Sequence, residues 1–200
     1  MRWNLPNILT ISRVPMLFIV VGLMFSDRSY AATGAFWLFI IAALTDWLDG
    51  YLARISNQIS TFGRFMDAVI DKVMVLGLMI ALVNGNYFGD LDMWAMLALL
   101  CILTREFGMS GLRMIAASKG LVVEADTSGK LKTFTQLNAI GWLLGAKMFA
   151  VDFADIFGPS DQIIINVVHW VGVGLYFLSA LLTITSGFSY FKRHQHVMAD

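Results

Sequence analysis

The sequence predicts an all-α integral membrane protein with six transmembrane helices, an N-terminal interfacial helix and both termini cytoplasmic. Three observations carry that reading. Of the 200 residues, 58% are hydrophobic and only 14% are charged, with a mean hydropathy of +0.72, values that belong to a bilayer rather than to water. The apolar residues gather into runs separated by short polar or turn-forming stretches. Lys and Arg fall almost wholly on one side of the alternation that those runs create, which orients the chain. A single domain, 1–200, is expected, with no soluble domain left over.

Taken in order, the opening residues 1–13 mix polar and apolar side chains, with Asn4 suited to an N-cap and Pro6 to a first helical turn, and are expected to lie in the interface. The first apolar run follows Arg13 without a small-residue cleavage site, so a retained span at 14–26 is expected rather than a signal peptide. It ends at Ser26-Asp27-Arg28-Ser29. A second span, 33–55, is followed by a polar loop from Ser56 to Thr61. The third, 65–83, stops at the turn signal Asn84-Gly85-Asn86. The fourth, 92–117, is interrupted by Arg105, Glu106 and Arg113. A polar stretch from Ser118 to Lys132 leads to the fifth, 133–151, and the sixth covers 162–190.

This parity puts Arg2, Arg13, Arg54, Arg64, Lys72, Arg105, Arg113, Lys119, Lys130, Lys132, Lys192 and Arg193 on the cytoplasmic side, and only Arg28 in the opposite loops. Cys101 is the one cysteine, so no internal disulfide exists, and its apolar neighbours suggest packing as a small hydrophobe. Gly141 and Gly145 form a G-x-x-x-G that reads as helix packing. His169, His194 and His196 lie apart from the acids, and no zinc site is expected.

Chemistry concentrates in residues 46–72. Asp46 and Asp49 are three apart, Asp67 and Asp71 four apart, so on helices each pair projects from one face. Acids at membrane depth cost roughly 2.5–3.5 kcal/mol each on insertion scales, and like charges repel, so a cation must accompany them. Carboxylate-only ligation suits Mg²⁺ or Mn²⁺, and four acids are enough for two such divalent cations. Two metals clamp the entering and leaving oxygens of an in-line phosphoryl displacement. The structural alternative is a salt-bridged cluster with Arg54, Arg64 and Lys72, but four acids exceed what helix pairing needs.

Asp46-x-x-Asp49-Gly50-x-x-Ala53-Arg54, eight further residues, then Gly63-x-x-x-Asp67-x-x-x-Asp71 resembles the full signature of the CDP-alcohol phosphotransferases. The resemblance implies a membrane enzyme, in the family a homodimer, that moves a phosphate-linked group from a CDP-activated donor onto an alcohol. It further implies that Asp71 is the general base, and that Gly50 and Ala53 are small where the family places the cytidine. Arg54, with Ser60 or Thr61, could then reach the diphosphate, while Gly63 allows close helix approach.

A second set of charges speaks to the acceptor. Arg105 and Arg113, eight apart on the fourth span, share a face, and Lys130 and Lys132 enter the fifth. Snorkelling to the interface would explain the lysines. Arg is, however, a strong bidentate partner for phosphate, so a phosphorylated acceptor is expected. Thr104-Arg105-Glu106, Ser110-Gly111-Leu112-Arg113 and Gly129-Lys130-Leu131-Lys132-Thr133 with Gln136 look like the phosphatidylglycerophosphate synthase branch of the family, which implies glycerol 3-phosphate. The opening N-L-P-N-x-L-T-x-x-R is similar to that branch too, placing Asn7 and Thr10 near the donor head group.

The expected partners are therefore CDP-diacylglycerol, glycerol 3-phosphate and the lipid bilayer, with no nucleic acid. The products would be phosphatidylglycerophosphate and CMP, made at the cytoplasmic face of a bacterial-type inner membrane. The same chemistry with inositol phosphate, serine or phosphatidylglycerol is the nearest alternative. A cation transporter is remote, because its acids would be spread across membrane depth.

Overall fold

The computed structural model describes residues 5–55, 61–120, 128–154, 156 and 162–194; within these, residues 5–7, 47–55, 61–62, 64, 128–130 and 194 are described as backbone only. Among the described residues the chain is all-helical: α1 (Leu5–Met24), α2 (Ala31–Ile55), α3 (Thr61–Asn84), α4 (Asp92–Ser118), α5 (Ser128–Asp152) and α6 (Gln162–His194), with a single 3-10 turn, Gly89–Leu91, ahead of α4.

The helices close into a ring in the order α1, α2, α5, α6, α4, α3, with α3 also touching α5. The most extensive contact is between α5 and α6, and the sparsest are those of α3 with α4 and α5. Sequence period explains which faces turn inward. Along α4 the buried positions are Ala95, Leu99, Ile102, Glu106, Met109, Leu112 and Ala116, a stripe at three- and four-residue steps. Leu17 and Val20, Phe39, Leu78 and Leu82, Leu143 and Leu144, and Tyr176 meet this stripe's upper half in one core. Tyr176 satisfies its hydroxyl by donating to the Ala95 carbonyl at 3.0 Å and packs its ring against that of Phe88 at a tilt of 56°, with centroids 4.5 Å apart.

Large apolar side chains also cover much of the exterior. Phe18, Phe107 and Phe188 are 71%, 67% and 73% exposed, and Trp37, Leu44, Ile163, Trp170 and Leu181 also face outward. Water would not tolerate such a surface, and lipid favours it. Two helical stretches, Gly89–Ser118 and Gln162–Arg193, are long and apolar enough to cross a membrane, with mean hydropathy 1.4 and 1.9. Cys101, expected to pack as a small hydrophobe, is exposed on α4.

Helix boundaries differ from the sequence reading in instructive places. From residue 5 onward the expected interfacial segment and the span 14–26 are not two elements: α1 runs unbroken from Leu5 to Met24 through Pro15, and residues 1–4 lie outside the described residues. Arg13 therefore sits inside a helix rather than at its mouth. α3 and α5 begin several residues before the expected spans, at Thr61 and Ser128, because their polar first turns are helical too. The turn after α3 falls as the Asn-Gly-Asn signal predicts, with Asn86 at φ 60°, a region that Asn tolerates. Beside it Tyr87 is buried against Lys147, whose ammonium lies 5.5 Å from the ring centroid, and burial pushes its phenol up to about 12. The G-x-x-x-G packs as expected: a Cβ on Gly141 or Gly145 would meet the rings of Phe39 and Phe36 of α2 at 3.4 and 3.3 Å.

Candidate active site

The acid cluster forms at the end of the bundle where α1, α2 and α3 meet. Asp46 is carried by α2, and Asp67 and Asp71, one turn apart, by α3. One carboxylate oxygen from each can be chosen so that all three lie within 4.8 Å of one another. Three hard anionic oxygens at that spacing, with no nitrogen or sulfur donor, can hold a divalent metal ion. Asp49, Gly50, Ala53 and Arg54 occupy the last turns of α2, but their side chains lie outside the described residues, as does Ser60 entirely.

The cation that accompanies the acids is one to which the sequence reading gave no role. Arg13 is 1% exposed, and its guanidinium forks across the cluster. Nη1 donates to Asp46 and, at 2.5 Å, to Asp71, while Nη2 donates to Asp67 at 3.0 Å. Lys72, considered as the counter-ion, turns away to donate to the Ser110 hydroxyl of α4. The signal for Arg13 was present in the sequence: a charge between Ile11, Val14, Pro15 and Met16, one turn after Thr10, needs an acidic partner if it is enclosed. Thr10 is buried on the same face; Asn7 lies a turn earlier in α1, with its side chain outside the described residues. Gly63 lies half-buried in the first turns of α3.

The basic residues assemble around Glu106. Its carboxylate accepts from Lys132 of α5 and from Arg105 at 3.1 Å, and Arg105 also donates to Ser186 of α6 at 3.3 Å. Gly187 makes this possible, since a Cβ there would lie 2.7 Å from Arg105 Cγ. The Ser110 hydroxyl, accepting from Lys72, donates to the Glu106 carbonyl at 2.8 Å. Arg113, expected in the same pocket, is exposed, with its guanidinium 6.0 Å from the Tyr190 ring centroid. Lys130 begins α5 and its side chain lies outside the described residues.

A cleft of about 220 Å³ joins the two groups. Asp71 of the acid cluster lines it together with Lys72, Glu106, Lys132, Thr133 and Gln136. Ala68, Val75 and Leu76 of α3 supply its apolar wall. Two carboxylates and two lysines thus line one small space, an arrangement in which the lysines can bind an anion and a carboxylate can hold or accept a proton beside it.

The family model for CDP-alcohol phosphatidyltransferase matches residues 3–184. A protein of Rickettsia typhi named CDP-diacylglycerol--glycerol-3-phosphate 3-phosphatidyltransferase is 35% identical over 190 residues, covering 94% of this chain and 96% of the relative. Proteins of the same name from Cereibacter sphaeroides and Bacillus subtilis are 34% and 33% identical. The first covers 100% of this chain and 99% of its own length, the second 96% and 95%. A match over almost the whole chain places this protein in the CDP-alcohol phosphatidyltransferase family.

Proposed function

We propose that this chain transfers the phosphatidyl group of CDP-diacylglycerol to glycerol 3-phosphate, giving phosphatidylglycerophosphate and CMP. The observation that carries the reading is the cleft in which Asp71 faces Lys72 and Lys132. Lys72 and Lys132 line it beside the carboxylates of Asp71 and Glu106, and Arg105 pairs with Glu106 from outside the cleft, so the lysines are left as the partners suited to a phosphate. The names of the relatives specify the same acceptor.

In this reading Asp46, Asp49, Asp67 and Asp71 hold two divalent cations, Mg²⁺ or Mn²⁺. When bound, these neutralise the diphosphate of the donor and stabilise the charge on departing CMP. Asn7, Thr10, Gly50, Ala53, Arg54, Ser60 and Gly63 shape the donor side. Arg105, Arg113, Lys130 and Lys132 supply the positive field for the acceptor phosphate, with Lys132 lining the cleft itself. Asp71 takes the proton from the acceptor's primary hydroxyl, whose oxygen attacks the phosphorus bearing diacylglycerol as the bond to CMP breaks. All six helices then span a bacterial-type inner membrane, with both termini and the site cytoplasmic, and the protein acts as a homodimer.

The test is CMP release from CDP-diacylglycerol against a panel of alcohols, with and without chelator. Glycerol 3-phosphate should be the preferred acceptor, and chelator should stop release. Asp71→Asn should nearly abolish turnover while largely retaining donor binding. Faster release with serine, inositol phosphate or phosphatidylglycerol would reject the acceptor assignment, and substantial turnover by Asp71→Asn would reject the base.

A further inference from the structure

One side chain in the cleft has a hydrogen-bonding capacity that the fold does not use. Gln136 is 3% exposed, and its Nε2 is enclosed with no hydrogen-bond partner among the described residues. It lines the same space as Asp71 and Lys132. Its position follows from the helix: Lys132 and Gln136 are four apart on α5, so they share a face, with Gln136 one turn further into the bundle. A buried amide donor left without an acceptor destabilises the folded chain, and a leucine would fill that position without the penalty. A donor kept there is accounted for by an acceptor atom that arrives with the ligand.

Charge decides which atom that is. The phosphate dianion is matched by the ammonium groups of Lys72 and Lys132, and the primary hydroxyl must reach Asp71 to lose its proton. A neutral amide donor suits the neutral oxygen that remains. We propose that Gln136 recognises the secondary hydroxyl of glycerol 3-phosphate, donating a hydrogen bond from Nε2, and so selects a polyol phosphate over a simple hydroxyalkyl phosphate. This rests on the acceptor reading above and adds the residue that reads the part of the acceptor not consumed by the reaction.

The experiment compares glycerol 3-phosphate with 3-hydroxypropyl phosphate, which keeps the primary hydroxyl and the phosphate but lacks the secondary hydroxyl. CMP release is followed with full-length enzyme in mixed micelles containing CDP-diacylglycerol. A site built to bond a hydroxyl rejects the analogue lacking it, so the wild type should prefer glycerol 3-phosphate by about tenfold or more in kcat/KM. Gln136→Leu, which keeps the volume and removes the donor, should lower kcat/KM for glycerol 3-phosphate to about that of the analogue and leave the analogue's value unchanged. Gln136→Met is made in parallel as a second donor-free side chain, with thermal unfolding measured for both variants.

A wild type that uses both acceptors equally would overturn the proposal without any variant. Equal losses on both acceptors in folded variants would also overturn it, because Gln136 would then serve the shared phosphate. If the wild type released CMP with neither acceptor, the acceptor reading itself would fall and take this inference with it; release with glycerol 3-phosphate but no change in preference sinks the inference alone.

Discussion

Replacing Arg13 with methionine tests whether the acids depend on a cation of the chain's own. Removing one partner of a fully buried ion pair costs about 3–5 kcal/mol, because the remaining charge is left uncompensated. Arg13 meets that condition at 1% exposure, but Asp46, Asp67 and Asp71 do not, being 39%, 49% and 43% exposed. Water screens their side of the interaction, so the cost should fall to about 2–3 kcal/mol. For a chain of this length that corresponds to a midpoint drop of roughly 4–12 °C. Methionine preserves most of the packing volume, so little of the loss should come from a cavity. Thermal unfolding in detergent, in chelator and again in excess Mg²⁺, separates charge from packing. The drop should be large in chelator and much smaller in Mg²⁺, since the added ions neutralise the same carboxylates. No drop in chelator, or the same drop in both conditions, would refute the argument that Arg13 is held there to balance these three acids.

Three further outcomes follow from close contacts and from the expected topology. Gly187→Ala puts a Cβ 2.7 Å from Arg105 Cγ, so Arg105 must move; steady-state kinetics should show a severalfold rise in KM for glycerol 3-phosphate and little change in KM for CDP-diacylglycerol. Gly172→Ala meets the Leu143 side chain at 2.9 Å and its backbone nitrogen at 3.1 Å, and should cost about 1–3 kcal/mol in thermal unfolding while leaving both KM values unchanged. In a Cys101→Ser background, needed because Cys101 is exposed, single cysteines at positions 86 and 125 should react with impermeant reagent from opposite faces of the membrane. Labelling from one face would overturn the six-span arrangement.

The acids were legible because helical spacing is a local property: Asp67 and Asp71 share a face whatever surrounds them, and only the meeting with Asp46 needed the fold. Arg13 counts in the sequence only as one more cytoplasmic-side charge, because a positive charge before an apolar run has that meaning when nothing opposes it. What opposes it lies 33 to 58 residues away, on other helices. The starts of α3 and α5 were missed for a related reason. Thr61-Phe62-Gly63-Arg64 and Ser128-Gly129-Lys130 have no apolar periodicity, so a hydropathy reading begins after the helix does. Gln136 entered the sequence reading only as part of the branch resemblance, since a glutamine in an apolar run signals a site by itself only once its amide is found enclosed beside a cleft.

The position of that cleft explains why so many charges are tied to one another around it. It opens where α3 meets α4 and α5, the seam with the least extensive contacts in the ring. Across such a seam apolar burial contributes little, and polar ties hold the helices instead. Lys72 to Ser110 joins α3 to α4, Lys132 to Glu106 joins α5 to α4, and Arg105 to Ser186 joins α4 to α6. The residues suited to binding an anion are therefore also the ties between the walls. A phosphate entering the cleft must compete with Glu106 for Lys132 and with Ser110 for Lys72, so acceptor binding and the spacing of these helices are coupled. Truncating Lys132 should accordingly lower stability as well as acceptor affinity, whereas Gln136, which ties nothing, should affect acceptor choice alone.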